Sequence, residues 1–362
     1  MRNFANKIME KQTDAASRLL SLLKRGVTFA MYSLPGRHDF EFIVDDEASD
    51  IVSSRKFTVT MWDGRRVDIL DRNVPDAVNI AHEPTAIHNP YGESTSWVEY
   101  EAGINKVTGL LKSNPGKVVI SRRVILADCR LDYDMIVKCA FDMFTAYEKS
   151  FRAVYYTPTT GAWCVCSPEL LLSIDKESGE LHTVALAGTR RSDGGASDWD
   201  DKNKREHSYV VRYICDVIES LGIIPKHGVA ETVPAGSIEH ILTKISGNVN
   251  GVNGKVAAEK IVAALHPTPA ICGYPLAWSK KIISEVEKHD RECYGGYIAM
   301  EDDAYFIAHV NLRSFEFSPG YCCFWGGGGI MSESSPTAEW EEASLKISTS
   351  LSFFNKELGL GR

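Results

Sequence analysis

The amino-acid sequence predicts an α+β fold built around large antiparallel sheets, and three observations carry that reading. Strand-like runs such as FRAVYYT, GAWCVCSPELLLSID, ELHTVALAGT, GGYIAM, AYFIAHVNLRSFEF and YCCFWGGGGIM succeed one another, several through the short polar turns that join antiparallel neighbours. Helical patterns at 132–149, 202–220, 255–265, 277–289 and 338–355 interrupt them without the strict βαβ alternation of a parallel sheet. With 362 residues, 44% of them hydrophobic and 24% charged, the chain has the composition of a soluble globular protein with a substantial core.

Taken in order, the first two dozen residues form an amphipathic helix, because Phe4, Ile8, Ala15, Leu19, Leu22 and Leu23 line up as one stripe to bury. KFTVTMW and RRVDIL are strand pieces that join a sheet. A helix running from Tyr100 through Ile104, Val107, Leu110 and Leu111 stops at SNPG, and the strand KVVISRRVIL follows. The acidic stretch at 45–50 and DGGASDWDD at 193–201 are surface connections too short to separate independent domains.

Charge and composition exclude several function classes. A formal net charge of -8 removes any general attraction to nucleic acid or to an anionic membrane, so an anionic substrate must be met by local cations. No apolar run approaches the roughly 18 residues of a membrane span, and MRNFANKIMEKQTDAASRLL lacks the apolar stretch of a secretory signal. The nine cysteines include no CxxC pair, which points to reduced thiols in a cytosol. The expectation is a cytoplasmic monomer with no obligate protein partner.

The chemistry-bearing residues cluster in a few segments. In GGGGIMSESSPTAEWEEASLK, Ser335 is placed to cap a helix beginning at Pro336, where proline needs no amide partner. That helix sets Glu339, Glu342 and Lys346 on one face at i, i+3 and i+7. Two readings stay open there: an acidic first turn answering the helix dipole, or a face that holds a metal and an anion. The glycines Gly326–Gly329 form either a flexible turn or a place where backbone amides approach a ligand. In KNKREHSYVVRYICDVIE, Glu206 is either the i+4 ion-pair partner of Lys202 or a further carboxylate for the metal. Lys117, opening KVVISR, and Glu169, in CSPELLL, are charges beside apolar runs that suit an exposed sheet rim as well as catalysis. In ALAGTRR, Ala187 and Gly188 leave room for a ligand while Thr189 offers a hydroxyl and an amide; LHPTPAICG adds a proline-stiffened loop with His266. Carboxylate oxygens suit magnesium, and the missing Cys/His spacing disfavours zinc.

KVVISR, SPELLL, LAGTRR, KNKREH, LHPTPAICG, CYGGYIAM, NLRS and GGGGIMSESSPTAEWEEASLK stand in the order in which chorismate-utilising enzymes carry their matching segments, and the chain resembles that family over roughly residues 100–350. The family includes anthranilate, aminodeoxychorismate, salicylate and isochorismate synthases. The resemblance implies one structural domain in which two large, mainly antiparallel sheets pack together with helices outside. Residues 100–362 would be the catalytic region, and the poorly matched 1–99 the N-terminal part of the same fold. It also implies chorismate as substrate and Mg2+ held by Glu206 and Glu342, with Glu339 close by and acting through water. Arg313 and Lys346, helped by backbone around Gly327, would bind the enolpyruvyl carboxylate; Gly188, Thr189 and Ala270 would line the ring site, bordered by His266 and Tyr294.

Within the family, the resemblance points to hydroxyl exchange. Members that add ammonia lack a lysine at the place of Lys117, and aminodeoxychorismate synthases carry a nucleophilic lysine where Ala187 stands. Salicylate synthases typically carry threonine at the place of Ala270. The expected activity is isochorismate synthesis, with onward loss of pyruvate to salicylate, or binding without catalysis, as the alternatives. Lys117, kept neutral by nearby positive charge and partial burial, would take a proton from water attacking ring carbon C2, and protonated Glu169 would protonate the departing C4 hydroxyl. Menaquinone synthesis is the default use of the product, ahead of a siderophore or salicylate. The chain departs from the family pattern at Cys293 and at Gly328, where alanine is usual.

Overall fold

A computed structural model describes residues 2–45, 52–72, 92–192, 198–235, 238–251 and 257–360, the side chains of residues 2–10, 52, 235 and 251 excepted. Phe4 and Ile8, and most of the two connections expected at 45–50 and 193–201, therefore lie outside the described residues. In chain order the elements are α1 (Arg2–Arg25), β1 (Thr28–Ser33), β2 (Glu41–Asp45), β3 (Val52–Thr60), β4 (Arg66–Arg72), α2 (Trp97–Ser113), β5 (Lys117–Ala127), α3 (Tyr133–Ala146) and β6 (Phe151–Thr157). They continue with β7 (Gly161–Ser167), β8 (Leu170–Asp175), β9 (Glu180–Arg191), α4 (Asp201–Ser220), β10 (Lys226–His227), β11 (Glu231–Ala235), β12 (Ile238–Asn248) and α5 (Ala258–Leu265). The last are β13 (Gly273–Tyr274), α6 (Leu276–Val286), β14 (Tyr297–Glu301), β15 (Tyr305–Val310), β16 (Ser314–Ser318), β17 (Tyr321–Ile330) and α7 (Pro336–Leu358).

The strands form two antiparallel sheets, as expected. One has eight strands in the order β13-β5-β17-β16-β7-β6-β1-β2, and the other nine in the order β10-β12-β9-β8-β15-β14-β3-β4, with β11 also on β12. Both sheets recruit strands from the N-terminal quarter, β1 and β2 in the first and β3 and β4 in the second. Between the sheets lies a core of Tyr32, Phe57, Val59, Tyr155, Trp163, Ile298, Met300 and Trp325. The outer face of the first sheet packs on α1, α3 and α7 through Leu19, Phe144, Phe315, Phe324 and Phe354, and that of the second on α4 and α5 through Leu172, Val210, Ile214 and Leu265. No helix among the described residues is long and apolar enough to cross a membrane.

Layering on both faces explains why these strands are apolar throughout rather than alternating. Along β17, Tyr321, Cys323 and Trp325 enter the core between the sheets while Cys322 and Phe324 face the helices, so both sets are buried. Cys164, Cys166 and Cys322 pack there as small apolar groups. The helical stripes also hold: Ala15, Leu19, Leu22 and Leu23 of α1 are buried, as are Tyr100, Ile104, Val107 and Leu111 of α2.

The structure differs from expectation in three places that matter for the site. GAWCVCSPELLLSID is two strands in different sheets, β7 and β8, separated at Pro168 and Glu169; AYFIAHVNLRSFEF likewise divides into β15 and β16 around Arg313. The long strand β12, unrecognised in the sequence, pairs along the whole of β9 with a bulge between His240 and Ile241. Ser335 does sit before α7, but its hydroxyl makes no capping hydrogen bond.

A buried ion pair ties the first sheet to the loop after α6. Arg291 donates to both oxygens of Glu287, to Ile271 O and to Val119 O, while Glu287 Oε1 accepts the Ser121 amide at 2.6 Å. Because Arg291→Ala would leave the Glu287 carboxylate buried and uncompensated, it should destabilise the fold by roughly 3–5 kcal/mol. Urea unfolding at neutral pH measures this, and a loss under 1 kcal/mol would show that the pair is not holding the loop.

Candidate active site

At the places where the chain crosses between sheets, the walls surround a cavity of about 680 Å3, the open space at its mouth included. Pro168 and Glu169 come from the β7–β8 crossing, Leu312 and Arg313 from the β15–β16 crossing, Leu186 to Thr189 from β9, and Gly326 to Gly329 from β17. Glu206 of α4, Lys346 of α7, Ala270 and Tyr294 complete most of the lining. Of the residues singled out in the sequence, Glu169, Gly188, Thr189, Glu206, Ala270, Tyr294, Arg313, Gly327 and Lys346 therefore share one cavity. Backbone bonds lock the two crossings to neighbouring strands: Cys166 N donates to Arg313 O at 3.3 Å, and Val310 N to Glu169 O at 3.1 Å.

Neither Lys117 nor Glu169 is a solvated rim charge. Glu169 is 3% exposed. Burial pushes its carboxyl up to about 8 against the opposing charges of Lys117 and Lys346, so it holds its proton at neutral pH. Lys117 is fully buried. Its Nζ lies 2.9 Å from Glu206 Oε1, off the line that a hydrogen bond requires. The nearest charge facing Lys117 is thus a carboxylate, where the sequence reading expected positive charge, and Lys117 stands behind the cavity wall beside Glu206 rather than in its lining.

The carboxylates of α4 and α7 also pair differently from the local helical rule. Lys202 reaches across to Glu339 Oε1 at 2.6 Å and leaves Glu206 to Lys117, because tertiary approach outweighs an i,i+4 contact worth only a few tenths of a kcal/mol. Lys346 bonds Glu342 Oε1 at 2.6 Å and Gly327 O at 2.9 Å. Burial and the Glu342 charge push Glu339 up to about 6 despite Lys202. Burial opposes ionisation of Glu342 too, yet Lys346, Lys202 and the Thr189 hydroxyl hold it below the usual carboxylate range. Among the described residues no three His, Cys, Asp or Glu side chains converge as metal ligands; each of the three glutamates faces an ammonium instead.

Gly326–Gly329 are not a flexible turn. They are strand residues paired with Arg122 to Val119 of β5, and their missing side chains make room. A Cβ on Gly328 would stand 3.0 Å from Glu339 Oε2 and 3.2 Å from Glu342 Oε1, and one on Gly329 would strike Glu206 and Lys117. Gly188, by contrast, is needed for its backbone, since φ is 78° there.

His266 does not reach the cavity; its Nε2 lies 2.8 Å from Gly295 O and its ring stands edge-on to Tyr297, so it braces the loop that presents Tyr294. Sequence reasoning missed His240, which is 5% exposed and lines the cavity. Its Nδ1 is 3.1 Å from Gly188 O and 3.2 Å from Thr189 Oγ1, and its Nε2 is 3.1 Å from Arg313 Nη2. The apolar residues of IEHILTKI recur at helical spacing, which hid the strand, and only the register with β9 sets His240 opposite Thr189. Trp325 was missed too, and it forms a wall stacked between Trp163 and Tyr294.

The two crossing points thus bring buried carboxylates, a lysine and an arginine together around one cavity, an arrangement suited to an enzyme that receives a small anion. Residues 53–355 match the family model for chorismate binding enzyme, and the chain belongs to that family. Among curated relatives, isochorismate synthase EntC of Escherichia coli K12 is 27% identical over 254 residues, which are 66% of this chain and 62% of that protein. The chain thus spans less than two thirds of that relative's length. Among solved structures, MenF, the menaquinone-specific isochorismate synthase from Escherichia coli, superposes with a TM-score of 0.74 at 17% identity over 92% of this chain and 90% of that one. Anthranilate synthase component I from Streptococcus pneumoniae does so with a TM-score of 0.63 at 14% identity, over 88% and 89%. The fold is common to enzymes of different reactions, so the reaction must be argued from the cavity.

The Glu169 carboxyl predicts a stability signature. The unfolded chain loses this proton near pH 4.5 and the folded chain only near 8, so the unfolded state binds fewer protons across that window and stability falls as pH rises through it. Glu169→Gln should therefore match the parent near pH 4.5 and exceed its stability by a few kcal/mol above pH 8, read by denaturant titration at each pH. A difference that stays constant with pH would place the Glu169 carboxyl in contact with water.

Proposed function

We propose that this protein is an isochorismate synthase, converting chorismate to isochorismate by adding water at C2 and expelling the C4 hydroxyl. The observation that carries the reading is Glu169: a carboxylic acid that keeps its proton at neutral pH, on the wall of a cavity that also presents Arg313 and Lys346. Hydroxide is a poor leaving group, and an acid held protonated by burial is what its departure requires.

In this reading Arg313 and Lys346 bind the enolpyruvyl carboxylate, helped by backbone near Gly327, and Gly188, Thr189, Ala270 and Tyr294 shape the ring site. Lys117 takes a proton from the attacking water as a bond forms to C2; the ring double bonds shift, and the C4 oxygen leaves with the Glu169 proton. Water is thus consumed and released, and for Lys117 to serve as base the proton it holds against Glu206 at 2.9 Å must first pass to that carboxylate, leaving a neutral amine. Ala187, where a nucleophilic lysine would give the aminodeoxy product, and Ala270, where threonine accompanies salicylate formation, both line the cavity and favour hydroxyl exchange without further elimination.

Charge supports a magnesium cofactor. The Lys117–Glu206, Lys202–Glu339 and Lys346–Glu342 pairs cancel, protonated Glu169 adds nothing, and among the described residues that line the cavity Arg313 is left to meet a substrate with two carboxylates. Glu206, Glu339 and Glu342 would hold the ion. Their oxygens are the hard donors that Mg2+ prefers, and Glu339 Oε2 is buried with no hydrogen-bond partner. When bound, the ion supplies positive charge to the ring carboxylate. The buried thiols and acidic surface suit a cytosolic enzyme, proposed here as a monomer that supplies menaquinone synthesis.

Incubation with chorismate and Mg2+ followed by product separation tests the assignment. Isochorismate is expected; salicylate with pyruvate, anthranilate when ammonia is present, or no product would each overturn it. Lys117→Ala and Glu169→Ala should each lower turnover by about 100-fold or more, the usual size of a positioned acid or base. In the parent enzyme kcat/KM should decline above about pH 8 as Glu169 loses its proton. Near-normal rates in either variant would remove that residue from the mechanism.

A further inference from the structure

Beyond the substrate cavity, across a wall made of Pro168, Leu186, His240 and Arg313, lies a second and larger cavity of about 1130 Å3. Arg313 therefore borders two spaces, only one of which holds the proposed chemistry. Its backbone stands at φ 51°, a left-handed conformation uncommon for a side-chain-bearing residue and kept only where the surroundings enforce it. Among the described residues its guanidinium has no carboxylate within ion-pair distance, and its hydrogen bond goes to His240 Nε2 at 3.1 Å.

The partners of His240 fix its protonation by elimination. Nδ1 faces the Gly188 carbonyl oxygen, which can only accept, so Nδ1 carries the hydrogen. Nε2 faces a guanidinium, which can only donate, so Nε2 offers its lone pair. One neutral tautomer satisfies both contacts, whereas an imidazolium keeps the Gly188 contact but sets an N–H donor against the guanidinium at Nε2. The Thr189 hydroxyl, 3.2 Å from Nδ1, completes the arrangement by donating onward to Glu342. Burial, with Arg313 and Lys346 nearby, pushes the ring down to about 3, which agrees with a neutral imidazole.

We propose that His240, as the Nδ1–H tautomer, is a positioning residue that holds the Arg313 guanidinium in the wall between the two cavities and aims it at the carboxylate of the substrate. The proposal rests on the chorismate reading above for the identity of that carboxylate. Without an acceptor at Nε2, the long arginine side chain gains the larger cavity to swing into, and ordering it again would oppose every binding event.

Two amide substitutions separate this role from mere packing. Asparagine replaces the Nδ1 donor but does not reach Arg313, whereas glutamine extends an acceptor to the Nε2 position. In a Glu169→Gln background, which binds chorismate without turnover in this reading, calorimetry should show that His240→Asn weakens binding roughly tenfold, the size of one charge-assisted hydrogen bond. His240→Gln should recover affinity to within about threefold, and both variants should melt within a few degrees of the parent. Added to Arg313→Ala, His240→Asn should cost almost nothing more, because the partner it serves is gone. Equal losses for Asn and Gln, or additive losses with Arg313→Ala, would overturn the proposal. Carbon-13 NMR of the His240 ring tests it without any ligand: the Nδ1–H tautomer is required, and the Nε2–H form would end it. A parent that binds no chorismate but shows the Nδ1–H ring would instead count against the assigned reaction.

Discussion

Everything in the cavity depends on two places where the polypeptide leaves one sheet and enters the other. At Ser167–Glu169 and again at Asn311–Arg313, a strand ends in the first or second layer and the chain resumes in its neighbour, and backbone bonds from Cys166 to Arg313 and from Val310 to Glu169 hold the crossings to adjacent strands. A side chain at such a point has a sheet on either side and little water around it. That geometry alone converts an ordinary glutamate into an acid that stays protonated at neutral pH, since burial in a poor dielectric disfavours the charged form more than the two nearby lysines favour it. It also explains how an arginine can face a cavity with no carboxylate among the described residues within ion-pair distance: the crossing fixes its backbone and a neutral histidine takes its hydrogen bond.

The remaining charges are balanced across elements rather than within them. Three lysine–glutamate contacts join β5 to α4, α4 to α7, and two turns of α7, so the helices that cover opposite sheets are also linked electrostatically at the cavity. In such a setting each pair restrains the others. Glu342 stays ionised because Lys346, Lys202 and Thr189 all favour its charge, and that charge adds to burial in pushing Glu339 up to about 6. A protein with a net charge of -8 can thus receive an anion, because the charges at the cavity are paired locally and, among the described residues lining it, Arg313 is left over.

Much of this was legible in the sequence, and the limits have physical causes. Lys117 and Glu169, charges beside strongly apolar runs, suited an exposed rim as well as a site, and only the family resemblance gave them roles, whereas the helical spacing of Glu339, Glu342 and Lys346 followed from geometry alone. Antiparallel sheets and the main helices could be read from successive strand-like runs and helical spacing, while the division into two sheets came only with the family resemblance. What could not be read was strand partnership. GAWCVCSPELLLSID has no break in its hydrophobicity, so nothing local said that Pro168 divides two sheets, and a short i,i+4 spacing suggested Lys202 for Glu206 where the fold supplies Lys117. His240 escaped for the same reason: its meaning lies in the bulged register that sets it beside Gly188 and Thr189, a relation between strands separated by some fifty residues.

The glycine run shows how absence of side chains can be the specific element of a site. Four glycines inside a fully buried strand forgo packing and cost conformational entropy, which a strand accepts only where something must come close. On one face α7 presses Ala343 and Ile347 against Gly326 and sets Glu339 and Glu342 against Gly328; on the other, Lys117 and Glu206 fill the space a Gly329 side chain would take. The strand is therefore the thin partition that lets carboxylates from two helices and a lysine from a neighbouring strand gather around one cavity. Gly328, where alanine is usual in the family pattern, fits the same logic: a methyl group at 3.0 and 3.2 Å from two carboxylate oxygens would oblige Glu339 and Glu342 to yield by a few tenths of an ångström, and glycine here leaves them where Lys202 and Lys346 hold them.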